Sequence, residues 1–190
     1  MHRKGMLGGS LLGLLLSLGL AVSVPVQADP DFDPEGGICQ IFKAEKRWFK
    51  AARRSARKWG IPVPVLMAVI HQESRFDGKA KPPRRAKSSA RGYPQAKKET
   101  WKWYIKATGN RGADRDKFKD AVDFVGWYLS MARTRNGVSA DAVDQLYLAY
   151  HEGHGGYARE TWRKKPWLRE VALRVASRSR LYAGQLEQCD

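Results

Sequence analysis

Beyond the first thirty residues, the apolar positions recur at the three-to-four-residue spacing of helices, and no stretch alternates apolar and polar residues as a strand would. Phe42, Phe49, Ala52, Ala56 and Trp59 mark one face of a first helix, which Gly60 ends as a left-handed cap. After Ile61-Pro62-Val63-Pro64, a second helix is predicted over 65–73, with Pro64 suited to its first position. It opens with Val65-Leu66-Met67-Ala68-Val69-Ile70, apolar on every side, as a helix with protein all round it must be. The periodicity stops by Gly78, and 79–91 is basic, proline-bearing and aperiodic, hence a loop. Further helices are expected over about 96–108, stopped by Gly109, and over 117–135, with Phe118, Val122, Val125, Leu129 and Ala132 inward. Another runs from a Ser139 cap to Tyr150, ahead of a glycine-rich stretch, and a last one opens at Pro166 and carries Trp167, Val171, Val175 and Tyr182. The pattern predicts an all-α fold without internal repeats.

The start of the chain follows a different rule. A basic His2-Arg3-Lys4 precedes an apolar run from Met6 to about Val26, which closes on the small-residue pattern Val26-Gln27-Ala28 before Asp29-Pro30-Asp31. This reads as a signal peptide cleaved after Ala28; an uncleaved membrane anchor is the alternative, set against Pro25 and the cleavage pattern. The expected organisation is a signal peptide over 1–28, a linker over 29–37 and a single domain over 38–190, with no stable membrane span after cleavage. Among the 190 residues there are 35 Lys and Arg against 19 Asp and Glu, a net charge of +16. Such a chain seeks an anionic partner. Export points away from nucleic acid and towards anionic polymers of the cell envelope, with a periplasmic or secreted location. Export also permits the only two cysteines, Cys39 and Cys189, to pair across nearly the whole domain; two free thiols are the alternative.

Chemistry concentrates where the all-apolar helix ends, at His71-Gln72-Glu73-Ser74-Arg75-Phe76. Leu66, Val69, Ile70 and Glu73 share one helical face, so a carboxyl group prolongs an apolar stripe. Burial and the negative end of the helix dipole both favour its neutral form, which suits a general acid near neutral pH. A solvent-facing glutamate at a helix end is the plain alternative, and spacing alone does not separate the two.

Three segments in order add to this: Glu73-Ser74-Arg75-Phe76, then Gly92-Tyr93-Pro94-Gln95-Ala96, then Ala149-Tyr150-His151-Glu152-Gly153. They resemble the signature stretches of the soluble lytic transglycosylases, a lysozyme-like family related to the goose-type lysozymes. Members carry a Glu-Ser-x-Phe-like motif with the catalytic glutamate, a Gly-Leu-Met-Gln motif lining the sugar groove and an Ala-Tyr-Asn-Ala-Gly motif. The resemblance implies a lysozyme-like helical domain with Glu73 as catalytic acid, Gly92, Tyr93, Gln95 and His151 at the substrate, and Tyr150 beside the acid. Tyr93-Pro94 stands where the family has Leu-Met, and His151-Glu152 where it has Asn-Ala, so the chain is a divergent member.

The implied reaction needs no metal and no cofactor. Glu73 protonates the oxygen of a MurNAc-GlcNAc β-1,4 bond in peptidoglycan glycan strands while the substrate's N-acetyl group stabilises the sugar cation. The carboxylate then takes the proton of the MurNAc C6 hydroxyl, and a 1,6-anhydro sugar leaves. A goose-type lysozyme-like hydrolase would need a second carboxylate to position water, for which Glu152, Asp77 and Asp123 are the candidates. A catalytically silent muropeptide-binding module is the remaining alternative. His151-Glu152-Gly153-His154 lacks the ligand spacing of the zinc peptidases. Trp101, Trp103 and Tyr104 are candidates for sugar stacking or for core. Lys79, Lys81, Arg84, Arg85, Lys87 and Arg91 lie between two of the motifs and are expected to border the cleft, facing stem-peptide carboxylates or other envelope anions.

Overall fold

A computed structural model describes residues 35–189. The proposed signal peptide and most of the expected linker lie outside these residues. Eight α-helices occur among them: α1 (Ile38–Ala44), α2 (Lys46–Trp59), α3 (Val63–Ser74), α4 (Lys98–Thr108), α5 (Phe118–Asn136), α6 (Val143–Glu152), α7 (His154–Ala158) and α8 (Pro166–Leu186). Two 3-10 turns, Arg84–Ala86 and Thr161–Lys164, and a single bridge between Arg91 and Ala96 complete the regular structure.

α3 is the axis of the domain. Every residue from Val65 to His71 is buried, and the helix is sheathed by α2, α5 and α8. An element without a polar face gains stability only when enclosed, at about 1.5–3 kcal/mol for each large aliphatic side chain withdrawn from water. α5 forms the second layer and buries the five side chains expected there, together with Phe124, Trp127 and Tyr128. α2 crosses α5 closely because residue 126 has no side chain: a Cβ there would lie 2.4 Å from Ser55 Oγ and 2.8 Å from the Trp59 ring. Ser55 donates to the Val122 carbonyl at 2.8 Å across the same contact.

Three sequence expectations are corrected. The first helix is two, split at Glu45, because the face of α1 that meets α8 differs in direction from the face of α2 that meets α3 and α5. Its inward aromatic is Trp48, stacked on Phe118 at 4.1 Å, whereas Phe49 is exposed beneath the Arg53 guanidinium. Ser139 does not cap α6, which starts at Val143, because its hydroxyl serves the Asp141 carboxylate within the preceding turn.

The ends of the described chain meet. Cys39 and Cys189 form a disulfide that closes a sequence separation of 150 residues. Glu35, within the stretch expected to be a linker, ion-pairs Arg75 and Arg178 and lies 3.1 Å from His71 Nε2. No described helix is long and apolar enough to cross a membrane.

A loop this long makes the disulfide a strong constraint on the unfolded chain. The double variant Cys39→Ser/Cys189→Ser is expected to lose about 2 to 5 kcal/mol of unfolding free energy. Denaturant titrations of oxidised wild type and variant check this; coincident midpoints would contradict it.

Candidate active site

α3 ends by a route unusual for its residue types. Arg75 and Phe76 both adopt left-handed conformations, φ 50° and 62°, and the Arg75 N–H closes the last turn on the His71 carbonyl at 2.8 Å. Such conformations cost non-glycine residues about 1 kcal/mol or more each and persist only where packing imposes them. Phe76 supplies that packing: it is buried edge-on to His71 and close to Trp48. The chain therefore turns away directly after Glu73-Ser74 and leaves the glutamate lining a cleft.

The cleft has a volume of about 480 Å³, within the range of small-molecule sites. Its lining combines Glu73 with Phe124 and Tyr128 of α5 and Tyr150 of α6, with Gln95, Ala96, Lys97 and Thr100 from the loop and the start of α4, and with His151, Glu152 and Gly153 from the end of α6. Burial raises the Glu73 carboxyl to about 7, against the smaller opposing effect of Tyr147, whose hydroxyl donates to Oε1 at 2.9 Å. Oε1 accepts from Tyr147 and no hydrogen bond engages Oε2 among the described residues, so the proton of the neutral acid is assigned to Oε2. Glu73 is thus an acid that is about half protonated near neutrality.

Gly92-Tyr93-Pro94-Gln95-Ala96 is held by its backbone. Gly92 has φ 72°, and a Cβ there would sit 2.3 Å from the Arg115 carbonyl oxygen, so the position excludes any side chain. Gln95 is itself left-handed, φ 44°, and its amide donates to the carbonyls of Ala80 and Gly92 at 3.0 and 2.9 Å. The structure therefore brings Gln95 into the cleft wall, where it also braces the loop. The Tyr93 ring lies behind that wall, edge-on to Trp48 and Phe118, and is not part of the lining; burial pushes its hydroxyl up to about 12. Gly92 is likewise buried behind it. Tyr150 lines the cleft, but its hydroxyl donates to the Pro94 carbonyl at 2.6 Å and ties α6 to this loop. The tyrosine that touches the acid is Tyr147, one helical turn earlier on α6, and the sequence reading missed it. Its spacing of three residues from Tyr150 was the available signal.

His151 sits on the rim with Nδ1 3.2 Å from Glu152 Oε1 and its ring edge-on to the exposed Trp167. Glu152 is buried, which disfavours its charge, but Lys165 at 2.7 and 3.0 Å, the Thr161 hydroxyl and His151 outweigh burial and hold the carboxyl at about 2. Each of its oxygens is already contacted by two partners. Asp123 takes hydrogen bonds from Trp59, Lys58 and Tyr104, joining α2, α4 and α5 outside the cleft lining. Asp77 is exposed and accepts the Lys79 N–H. Trp101 and Tyr104 are core residues, and Trp103 packs on Trp127 beneath Arg135. Burial lowers His154 to about 4, keeping its ring neutral against Tyr128, and no three His, Cys, Asp or Glu side chains converge among the described residues.

A buried carboxyl facing a sugar-sized cleft, between a left-handed glutamine loop and a tyrosine-bearing helix, reproduces the order of the three motifs in space. The model of the transglycosylase SLT domain family matches residues 14–189. This chain belongs to that family. The fold is accordingly lysozyme-like and all-α, and, because SLT domain proteins act on peptidoglycan, the function is of the transglycosylase, peptidoglycan-directed kind. No curated protein and no solved structure gives a significant match.

The acid leaves a thermodynamic signature. A carboxyl whose pKa is near 4.5 when unfolded and about 7 when folded keeps its proton in the native state while the unfolded chain loses it. Its contribution is therefore complete below about pH 4.5 and declines as pH rises through about 7. Relative to Glu73→Gln, wild type is expected to lose up to about 3 kcal/mol across that window. Parallel pH-stability curves would contradict the raised pKa. Tyr147→Phe removes the one contact that lowers it, so the Glu73 titration, followed by carboxyl NMR, is expected to move upward.

Proposed function

We propose that the protein is a peptidoglycan lytic transglycosylase that cleaves MurNAc-GlcNAc β-1,4 bonds and releases 1,6-anhydro products. The observation that carries this is Glu73: a single acid with its pKa raised to about 7, in a cleft where the neighbouring carboxylate, Glu152, is fully engaged. In the first step the Oε2 proton passes to the glycosidic oxygen as the C1–O bond breaks. The MurNAc N-acetyl oxygen stabilises the cationic C1. In the second, the Glu73 carboxylate accepts the proton of the C6 hydroxyl as its oxygen bonds C1, which closes the anhydro ring and restores the acid. Tyr147 stabilises the carboxylate between the two steps by donating to Oε1.

The engagement of Glu152 also bears on the hydrolytic reading. A carboxylate that positions water must offer a free lone pair, whereas both Glu152 oxygens are taken by Lys165, Thr161 and His151. Tyr150 and Gln95 complete the groove as positioning residues, with Gly92 and Tyr93 fixing its wall from behind and His151 meeting substrate at the rim. The enzyme works in the periplasm or outside the cell after removal of residues 1–28, on glycan strands and without a cofactor.

Digestion of purified sacculi tests this. Wild type is expected to release soluble muropeptides lighter by one water than hydrolysed ones, and Glu73→Gln to slow release by a factor of about 10² to 10⁴ while keeping the wild-type melting behaviour at acid pH. Reducing-end products would assign a hydrolase, and digestion by Glu73→Gln near the wild-type rate would remove Glu73 from the mechanism.

A further inference from the structure

The loop over 79–91 is built as a fixed wall and not as a free excursion. The Gly92 N–H and the Gln95 amide both donate to the Ala80 carbonyl, the Arg115 guanidinium donates to the Ser89 and Ala96 carbonyls at 2.9 and 2.8 Å, and the Ser89 hydroxyl accepts the Lys98 N–H. Arg91 is spent on this scaffold, forked onto Asp116. The other five cations, Lys79, Lys81, Arg84, Arg85 and Lys87, are exposed and have no ion-pair partner among the described residues.

Lys81, Arg84 and Lys87, with Ser88 and Ser89, surround an open hollow of about 250 Å³. Ser88 and Ala90 line both this hollow and the catalytic cleft, so the two adjoin. Each serine hydroxyl accepts one backbone N–H, from Ala90 and from Lys98, and its own proton remains free to donate. Donors and unpaired cations with no carboxylate among them make an anion site.

We propose that this hollow binds the carboxylates of the peptide stems that branch from the glycan strand, which makes the enzyme selective for peptide-bearing over neutral strands. The inference rests on the glycan-cleaving reading of the cleft. Its second premise is adjacency: the hollow borders the cleft, and the anionic groups of peptidoglycan that a strand seated in the cleft carries close to its sugars are the stem carboxylates. A separate phosphate polymer has no such tie to the cleft.

The test measures binding in a Glu73→Gln background, so that strands are not consumed. Soluble peptide-bearing strands are compared with the same strands after their stem carboxylates are converted to amides, at low and physiological salt, with inorganic polyphosphate as a third ligand. Free-carboxylate strands are expected to bind about tenfold tighter than capped ones at low salt, less so at physiological salt. Adding Lys81→Gln, Arg84→Gln and Lys87→Gln is expected to erase that difference and leave capped-strand binding unchanged, which also reports an intact cleft. A preference that survives the triple substitution overturns the proposal, as does an equal loss on capped strands. Polyphosphate that binds tighter than free-carboxylate strands, and only while the three cations are present, reassigns the hollow to a phosphate polymer. Loss of the carboxylate preference alone leaves the cleft reading standing, whereas absence of binding to every strand removes both.

Discussion

The structure depends on one constraint, the enclosure of a helix with no polar face. α3 is apolar around its whole circumference over Val65 to Ile70, so α2, α5 and α8 must surround it, and whatever projects from its last turn inherits the surrounding low dielectric. Glu73 projects from that turn. The packing that stabilises the domain and the burial that keeps a carboxyl protonated near pH 7 are therefore the same arrangement, seen at two ends of a helix. His71 shows how another polar group of α3 is handled: burial and Arg178 lower its pKa, and Tyr182 at 2.6 Å and Glu35 at 3.1 Å satisfy its two nitrogens.

Much of this was legible in the sequence because α3 has a composition with one structural solution. Its burial, its end near Glu73 and the inward face of α5 follow from spacing, and the terminal closure by Cys39 and Cys189 is the expected pairing of the only two cysteines. What escaped the sequence was set by partners distant along the chain. Tyr147 is 74 residues from the glutamate it contacts, and the motif around Tyr150 points to that tyrosine instead. Glu152 reads as a free carboxylate until Thr161 and Lys165 are brought onto it. Trp48 and Phe49 are adjacent aromatics, and only the crossing of α2 over α5 decides which one faces in.

The two walls of the cleft are braced by different means. The side containing Gln95 is held largely through its backbone: Gln95 donates to the Gly92 carbonyl, the Arg115 guanidinium to the carbonyls of Ser89 and Ala96, and the Tyr93 N–H to the Arg115 carbonyl. The back wall is a helix face, with Phe124 and Tyr128 stacked one turn apart at 5.6 Å. The Tyr150 hydroxyl on the Pro94 carbonyl adds a third tie, holding α6 to the loop beside the groove.

The bare backbone at residue 126 acquires a meaning beyond close packing. Residues 124 and 128 lie on one side of α5, and 126 lies on the other, seated against Ser55 and Trp59. A side chain at 126 would have to push α5 away from α2, and Phe124 and Tyr128, carried on the same helix, would shift with it relative to the groove. The contour offered to a sugar ring is thus dictated from the far side of the helix, through a position no ligand ever reaches. Drift at residue 126 would reshape specificity without altering a single atom of the lining.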